Sequence, residues 1–588
     1  MSRCPGRVVR WGLALAWAMI PSAEAFVGVT DAQGVLQHWA LNPPDPRVPG
    51  SAVNASARTV IYRLDSGGWS KTNTVAELNA IRSAFDQWQA VPGTFLKFQE
   101  GPAVSGTQDI NSFDDVNKLF WTSKLFVNGG RDNLTGVFAL TFVASLAAGS
   151  VITDADTVFN GSQFPWFTDS TNPTTQSVHV ESIALHEIGH FIGLVHSPVG
   201  GATMLAVGDM GVNSQAGLVE DDMLGARTLY GTAATVAASG RISGTVTLSG
   251  KPVFGAAVFA ETAEGLLRAG TVTESNGVYQ LPLLPPGGYT VRTAPLDPLS
   301  TANYLVRGAD ISPAHRGADS EYRPSTNRSV TVTAGATAKV DFGVVAGSPL
   351  RVVRILRPAP DLSSPSFNNK PVSVQPQGQT VYLGVLTPLP LLGSERVTIT
   401  GDGLTVVGPV ETRARVFGSS SLVAVPVRVE ASATPGLRSF RLQRGPDFAW
   451  AHGFLEVLSP FPDVNFDGLD DRFQRRYWPR FTSAEASPTA DPDDDGFANA
   501  WEFATGSDPT NRLSAVFEVQ SVRVTAAGAR VVSRTARGKR FQLHTRDTLP
   551  GAEWRPVGVG VTATGDTTEF LDPEATTAVR FYRVQLIP

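Results

Sequence analysis

A single cysteine, Cys4, stands among 588 residues. No disulfide can hold this fold, so its stability must come from apolar cores and bound ions. Charge is scarce as well. Charged residues make up 17% of the chain and the net charge is −5, which argues against nucleic acid as a partner, since that would call for a strongly basic face. Long apolar runs are nearly missing. Trp11 to Ile20 is about half the length that a membrane span needs. Leu134 to Thr153 carries no charge and is long enough, but Gly, Ser and Thr interrupt it. It reads as buried strands with a turn near Gly149 and Ser150, and no membrane span is expected.

Glycine (57) and proline (41) are plentiful, and Val and Thr recur throughout, the signature of β-rich modules joined by turns. Single cores stop growing at about 250–300 residues, so several domains are expected. Residues 1–25 read as a secretory signal: Arg3, Arg7 and Arg10, then the short apolar segment, then Ala23-Glu24-Ala25 as a cleavage site. Its removal would take Cys4 with it. The expectation is a secreted, extracellular protein.

Three of the eight histidines fall within eleven residues, His186-Glu187-Ile188-Gly189-His190-Phe191-Ile192-Gly193-Leu194-Val195-His196. His186 and His190 lie four apart and project from one face of a helix, where they can grip one metal ion. Glu187 sits beside the first ligand without being a ligand itself. Gly193 can end the helix in a sharp turn that brings back His196 as a third imidazole. Three imidazoles and a water make an open catalytic zinc site, whereas a structural site has four protein ligands. The bland alternative is a buried helix with two satisfied core histidines. The extended H-E-x-x-H-x-x-G-x-x-H spacing, followed by Met204, favours the metal.

These residues resemble the metzincin metalloproteases, and among them the matrixins. Leu218-Val219-Glu220-Asp221-Asp222-Met223-Leu224-Gly225-Ala226-Arg227-Thr228-Leu229-Tyr230-Gly231 is similar to the helix that closes a matrixin catalytic domain. Asp154-Ala155-Asp156-Thr157-Val158-Phe159-Asn160 is similar to the strand preceding the active-site helix in bacterial members. The resemblance spans residues 56–232. It implies catalytic Zn2+ on His186, His190 and His196, Glu187 as general base, and Met204 as an apolar floor under the imidazoles. It also implies that Asp154 and Asp156 hold structural calcium; solvated turn carboxylates are the alternative. Only His179 lies near enough to serve the second zinc of many matrixins, and no cysteine is left to hold the site latent.

The expected fold is multidomain, an α+β metzincin-like catalytic domain followed by β-sandwich modules and a short calcium-binding repeat segment. After a 26–55 leading segment, Val60 to Leu64 reads as a strand. A helix follows with Thr74 and Glu77 as a capping box and Val75, Leu78, Ile81, Phe85 and Trp88 as its apolar stripe, then a strand from Phe95 to Phe98. Residues 237–346 resemble a carboxypeptidase-regulatory-like β-sandwich, residues 347–459 fit an immunoglobulin-like sandwich, and residues 512–588 a last sandwich with Trp554 in its core.

Residues 460–511 carry a second chemical signal. Asp491, Asp493, Asp495, Gly496, Phe497, Asn499 and Glu502 take loop positions 1, 3, 5, 6, 7, 9 and 12 of an EF-hand. An earlier copy, Asp463, Asn465, Asp467, Gly468, Leu469 and Asp471, has Gln474 where the bidentate Glu belongs, so it should bind Ca2+ more weakly. The segment resembles dockerin and thrombospondin-type-3 repeats; an acidic solvated linker is the alternative.

The function expected is a secreted zinc endopeptidase acting on a protein or peptide substrate. A cell-surface adhesion protein, with a cell-surface, glycan or scaffold partner on its C-terminal modules and a subordinate protease, is the alternative. An inactive metzincin is a third reading, which the intact ligands and base disfavour.

Overall fold

The computed structural model describes residues 9–10, 14–15 and 36–587 apart from short internal stretches, of which 147–149, 170–175, 298–305 and 495–496 bear on the site residues and modules. Most of the signal-like segment, including Cys4 and the Ala23-Glu24-Ala25 site, lies outside the described residues, as do Asp495 and Gly496. The chain divides into two compact units, residues 1–465 and 466–588.

In the first unit a mixed sheet carries the site. Its strands are β1 (Thr59–Leu64), β2 (Phe98–Glu100), β3 (Lys118–Thr122), β4 (Ala139–Ser145) and β5 (Ile152–Asn160). β3 runs parallel to both β1 and β5, while β4 is antiparallel to β5 and the short strand Val53–Asn54 antiparallel to β1. Helix α1 (Thr74–Ala90) connects β1 to β2, and α2 (Val180–Phe191) carries the histidines. Every residue of α2 is buried, as its nearly all-apolar circumference demands. Gln87 donates to Glu181 at 2.7 Å and the Trp88 indole to the Leu185 carbonyl at 2.8 Å, so α1 is fastened to α2 by satisfied polar groups as well as by packing.

Several local expectations are corrected. Thr74 is the first helical residue, not the cap; its hydroxyl donates to the Ser70 carbonyl. Glu77 accepts the Trp69 and Ser70 amides instead of closing a capping box. Val75 is exposed, because the buried face of α1 is completed by Ala80 and Ala84. The strand expected at Phe95 begins at Phe98. Residues 36–55 join the catalytic core, with Trp39 and Leu41 buried in it.

Helix α3 (Glu220–Tyr230) closes this part. The next module has strands β6 (Gly240–Leu248), β7 (Ala256–Thr262), β8 (Leu267–Val272), β9 (Val278–Leu284) and β10 (Gly287–Pro295) in two facing sheets. A third module pairs β11 (Gln379–Thr387) with β12 (Ser420–Val429), and β13 (Gly436–Arg444) with β14 (Asp447–Val457). The regions 56–232, 237–346 and 347–459 close into one unit. One apolar core contains Val199 and Leu205 of the first, Phe259 and Leu267 of the second, and Leu437 and Phe454 of the third.

The second unit holds short helices α4 (Asp471–Tyr477) and α5 (Asn499–Thr505), then two three-stranded sheets. Their core is Val531, Phe541, Leu543 and Phe570. Trp554 is half-buried outside it, with the Arg546 and Arg583 guanidinium groups at 4.4 and 4.8 Å from its ring, an arrangement that suits the π-face but needs solvent for the charges.

Candidate metal centre

The i, i+4 spacing on α2 sets the His186 and His190 rings side by side, with centroids 4.7 Å apart. The helix then ends at Gly193, whose φ of +103° and closeness to the Gln37 carbonyl leave no room for a Cβ. The chain turns back and brings the His196 ring to 4.8 Å from His190 and 5.2 Å from His186. One ligand nitrogen from each of the three lies within 4.8 Å of the others, and among the described residues this is the one such group of three.

His186 Nδ1 lies 2.6 Å from the Thr203 carbonyl and His190 Nδ1 2.8 Å from the Leu194 carbonyl. Each Nδ1 must carry the proton to make those bonds, so both Nε2 atoms present lone pairs. These two acceptors stand 3.1 Å apart, a separation that only a cation between them makes favourable. Ligands about 2.0–2.1 Å from a tetrahedral zinc have nearly that spacing. His196 Nε2 is buried without a hydrogen bond. Burial lowers His190 to about 3 and His196 to about 4, so these two imidazoles are neutral, as ligands must be. The residues present fit zinc.

Glu187 is fully buried, and burial pushes its carboxyl up to about 8, against the Thr141 hydrogen bond that works to lower it. Thr141, on β4, donates to Oε2 at 2.6 Å, while Oε1 has no partner. Met204 lies beneath the helix; a Cβ at Gly189, between the two histidines, would run into its sulfur. Asp222 fixes the turn by accepting the Thr203 and Met204 amides at 2.9 and 3.0 Å. The Tyr230 hydroxyl donates to the Ile192 carbonyl at 2.7 Å, and the Trp39 indole to the Phe191 carbonyl at 2.9 Å, satisfying the end of α2. Thr141 and Trp39 carry no sequence signal, because their partners lie far along the chain. Asp222 and Tyr230 lie within the closing-helix match, which named the helix without giving these residues a role.

Asp154 and Asp156 are wholly buried within β5, so the expectation of solvated turn carboxylates fails. Burial pushes them up to about 8 and about 7. The Lys118 ammonium stands 2.7 Å from Asp114 and 3.6 Å from Asp156, where a bound cation would otherwise serve. Asp156 also accepts the Asn111 and Lys118 amides at 2.9 and 3.0 Å, which ties Asn111 and the start of β3 to β5.

In the second unit, Glu502, Asn499 and Asp471 are buried, and Phe497 stacks on Trp501. Asn499 donates its amide to the Glu485 and Ser487 carbonyls at 2.8 and 2.7 Å, and its Oδ1 is buried without a partner. Gln474 donates to Asp467 at 2.7 Å and to the Ala486 carbonyl at 2.9 Å, so its amide nitrogen faces the loop where a carboxylate would close it. The Leu469 amide donates to Asp467 Oδ1 at 2.8 Å, which closes a tight turn. Asp491 is exposed, Asp493 is half-buried with its Oδ2 enclosed, and Asp463 and Asn465 end the first unit.

A matrixin family model matches residues 54–231, and a carboxypeptidase regulatory-like domain model matches residues 241–303. Metalloendoproteinase 2-MMP of Arabidopsis thaliana is 30% identical over 199 residues, 33% of this chain and 46% of that protein. Human neutrophil collagenase is 26% identical over 205 residues, 35% of this chain and 37% of that one. Human matrix metalloproteinase-19 is 33% identical over 153 residues, 26% and 25% respectively. The chain thus spans less than half the length of these curated relatives. Triad, buried glutamate and Met204 turn all fall inside the first match, and the chain carries a matrixin domain joined to a carboxypeptidase regulatory-like domain.

Proposed function

We propose that this protein is a secreted zinc-dependent endopeptidase that hydrolyses peptide bonds of extracellular proteins. One observation carries the reading: three buried imidazoles converge beside a buried glutamate with one oxygen uncommitted. His186, His190 and His196 would hold zinc, which when bound supplies a Lewis acid that polarises the scissile carbonyl and eases loss of a proton from water. Glu187 takes the proton of the attacking water on Oε1 and returns it to the leaving amine. Thr141 keeps Oε2 engaged, so that Oε1 is the oxygen on offer. The substrate backbone would add as a strand along the outer edge of β4, the edge along which Ala14–Leu15 already pairs with Phe142–Val143.

The test is casein cleavage by the full chain, with zinc removed by a chelator and then restored at constant calcium. Activity should vanish and return, and Glu187→Ala should bind zinc without turnover. Hydrolysis retained by purified Glu187→Ala would sink the assignment.

Calcium in the loops at 463–474 and 491–502 is assigned a structural role, supported by the anchored Asn499 with its uncommitted oxygen. Calcium at Asp154 and Asp156 would have to share those carboxylates with Lys118, and there the lysine is favoured as the resident cation. The adhesion alternative keeps residues 466–588 as its ground. For residues 237–459 the shared core with the peptidase speaks against a merely subordinate catalytic domain. Among the described residues, no helix is long and apolar enough to cross a membrane.

A further inference from the structure

The third histidine differs from the other two in what holds the chain around it. Thr203 and Leu194, which orient His186 and His190, belong to the matrixin domain itself. The loop that follows His196 packs on the regulatory-like module, whose helical turn Gly308–Ile311 adds Ile311 to the core that contains Val199, Ala202 and Leu205. The neighbouring residue is tied to the same module. Ser197 Oγ donates to Asp221 Oδ2 at 2.5 Å, and Asp221 Oδ1 accepts the Gly270 amide of β8 at 2.8 Å. Asp221 is buried, so this carboxyl serves only groups inside the seam.

The loop that follows is clasped from the other side by the third module. Gly200 donates its amide to the His452 carbonyl at 2.9 Å. The seam is fitted without side chains at its tightest points: a Cβ on Gly200 would meet Phe454, one on Gly201 would meet Leu437, and one on Gly270 would lie 2.7 Å from Val199. Val199, Ala202 and Leu205 then share a core with Ile311, Phe259 and Phe454.

We propose that the regulatory-like module is a working part of the metal centre: through the Gly270–Asp221–Ser197 chain it fixes the residue next to His196 and so positions that ligand, and residues 54–231 alone make an incomplete site. Losing the contacts that orient a metal ligand typically weakens metal affinity or activity about 10–100-fold. A module that only lent stability would leave that affinity unchanged in any variant that still folds. The proposal deepens the peptidase reading and rests on it for the use of the metal.

The test uses the full chain. Gly270→Val forces the seam apart at Val199, while Gly343→Val, on the same module with open space around it, is the control. Zinc affinity is measured by chelator competition, and the visible absorption of the cobalt(II)-substituted chain reports ligand geometry. Gly270→Val is expected to weaken zinc about 10–100-fold and to alter the cobalt spectrum, with Gly343→Val matching the wild type. A folded Gly270→Val chain with wild-type affinity and spectrum overturns the proposal. Should Gly270→Val not fold, Asp221→Ala against Asp221→Asn decides. The amide can still accept from Gly270 and bond Ser197, so affinity lost in Ala and kept in Asn supports the chain of contacts, and equal affinities overturn it. These readouts need no substrate. A wild-type chain that binds zinc but cleaves nothing would fail the peptidase reading and leave this proposal standing.

Discussion

Thr141 and Glu187 are joined by a 2.6 Å hydrogen bond from hydroxyl to carboxylate, linking the edge strand to the zinc helix. It ties up one glutamate oxygen and leaves the other, and it opposes the rise that burial imposes on the carboxyl. Thr141→Val should therefore lower kcat on the order of tenfold, with zinc stoichiometry and KM little changed. Without the hydrogen bond the carboxyl rises further, so the acid limb of the kcat/KM profile should move to higher pH. Thr141→Ser should restore both. A profile unmoved in Thr141→Val would show that the bond does not tune the base.

The aspartates of β5 predict how stability follows pH. Asp154 and Asp156 are raised in the folded chain to about 8 and about 7, against about 3.9 for an unfolded aspartate. Between those values the folded chain holds protons that the unfolded chain has released, so stability falls as pH rises from about 4 to 8. Asp154→Asn should flatten that decline in metal-free thermal melts. Lys118→Met removes the one ammonium facing Asp114 and Asp156 and should cost on the order of 3 kcal/mol, most at high pH.

Calcium should raise the melting temperature of the second unit, read by hydrogen exchange within residues 466–588. Glu502→Gln should abolish most of that response. Gln474→Glu should strengthen the first loop by supplying the bidentate carboxylate that Gln474 lacks. Exchange indifferent to calcium in the wild type would return the segment to an acidic linker.

Tyr230→Phe removes one hydroxyl that both donates to the Ile192 carbonyl and accepts the Trp39 amide. Two buried backbone groups lose their partner, which should cost about 1–3 kcal/mol in a denaturant titration. Zinc stoichiometry should hold, because no ligand moves.

How much of this was legible in the sequence follows the range of each interaction. Helix α2, its histidine face and the stop at Gly193 were readable, since i, i+4 geometry and a left-handed turn are local. Strands β4 and β5 and the glycine-punctuated strands of the second module were readable for the same reason. Val75 misled because its neighbours' periodicity extends one turn beyond the buried surface. Thr74 and Glu77 misled because a capping box and a carboxylate bonded to preceding amides share one spacing. Trp554 misled because a large aromatic can stack under guanidinium groups at a surface as well as fill a core.

By itself the sequence determined the chemistry on offer: three imidazoles, one glutamate, a turn with Met204, and EF-hand spacings in the tail. Each rests on residues a few positions apart, where the backbone alone sets which side chains meet. Tertiary structure decided that Thr141 aims Glu187, that Lys118 stands among the aspartates, and that Gly270 of the regulatory-like module engages the Asp221 that holds Ser197. Those pairs are joined by folded proximity across long loops, and such contacts leave no period in the chain from which they could be read.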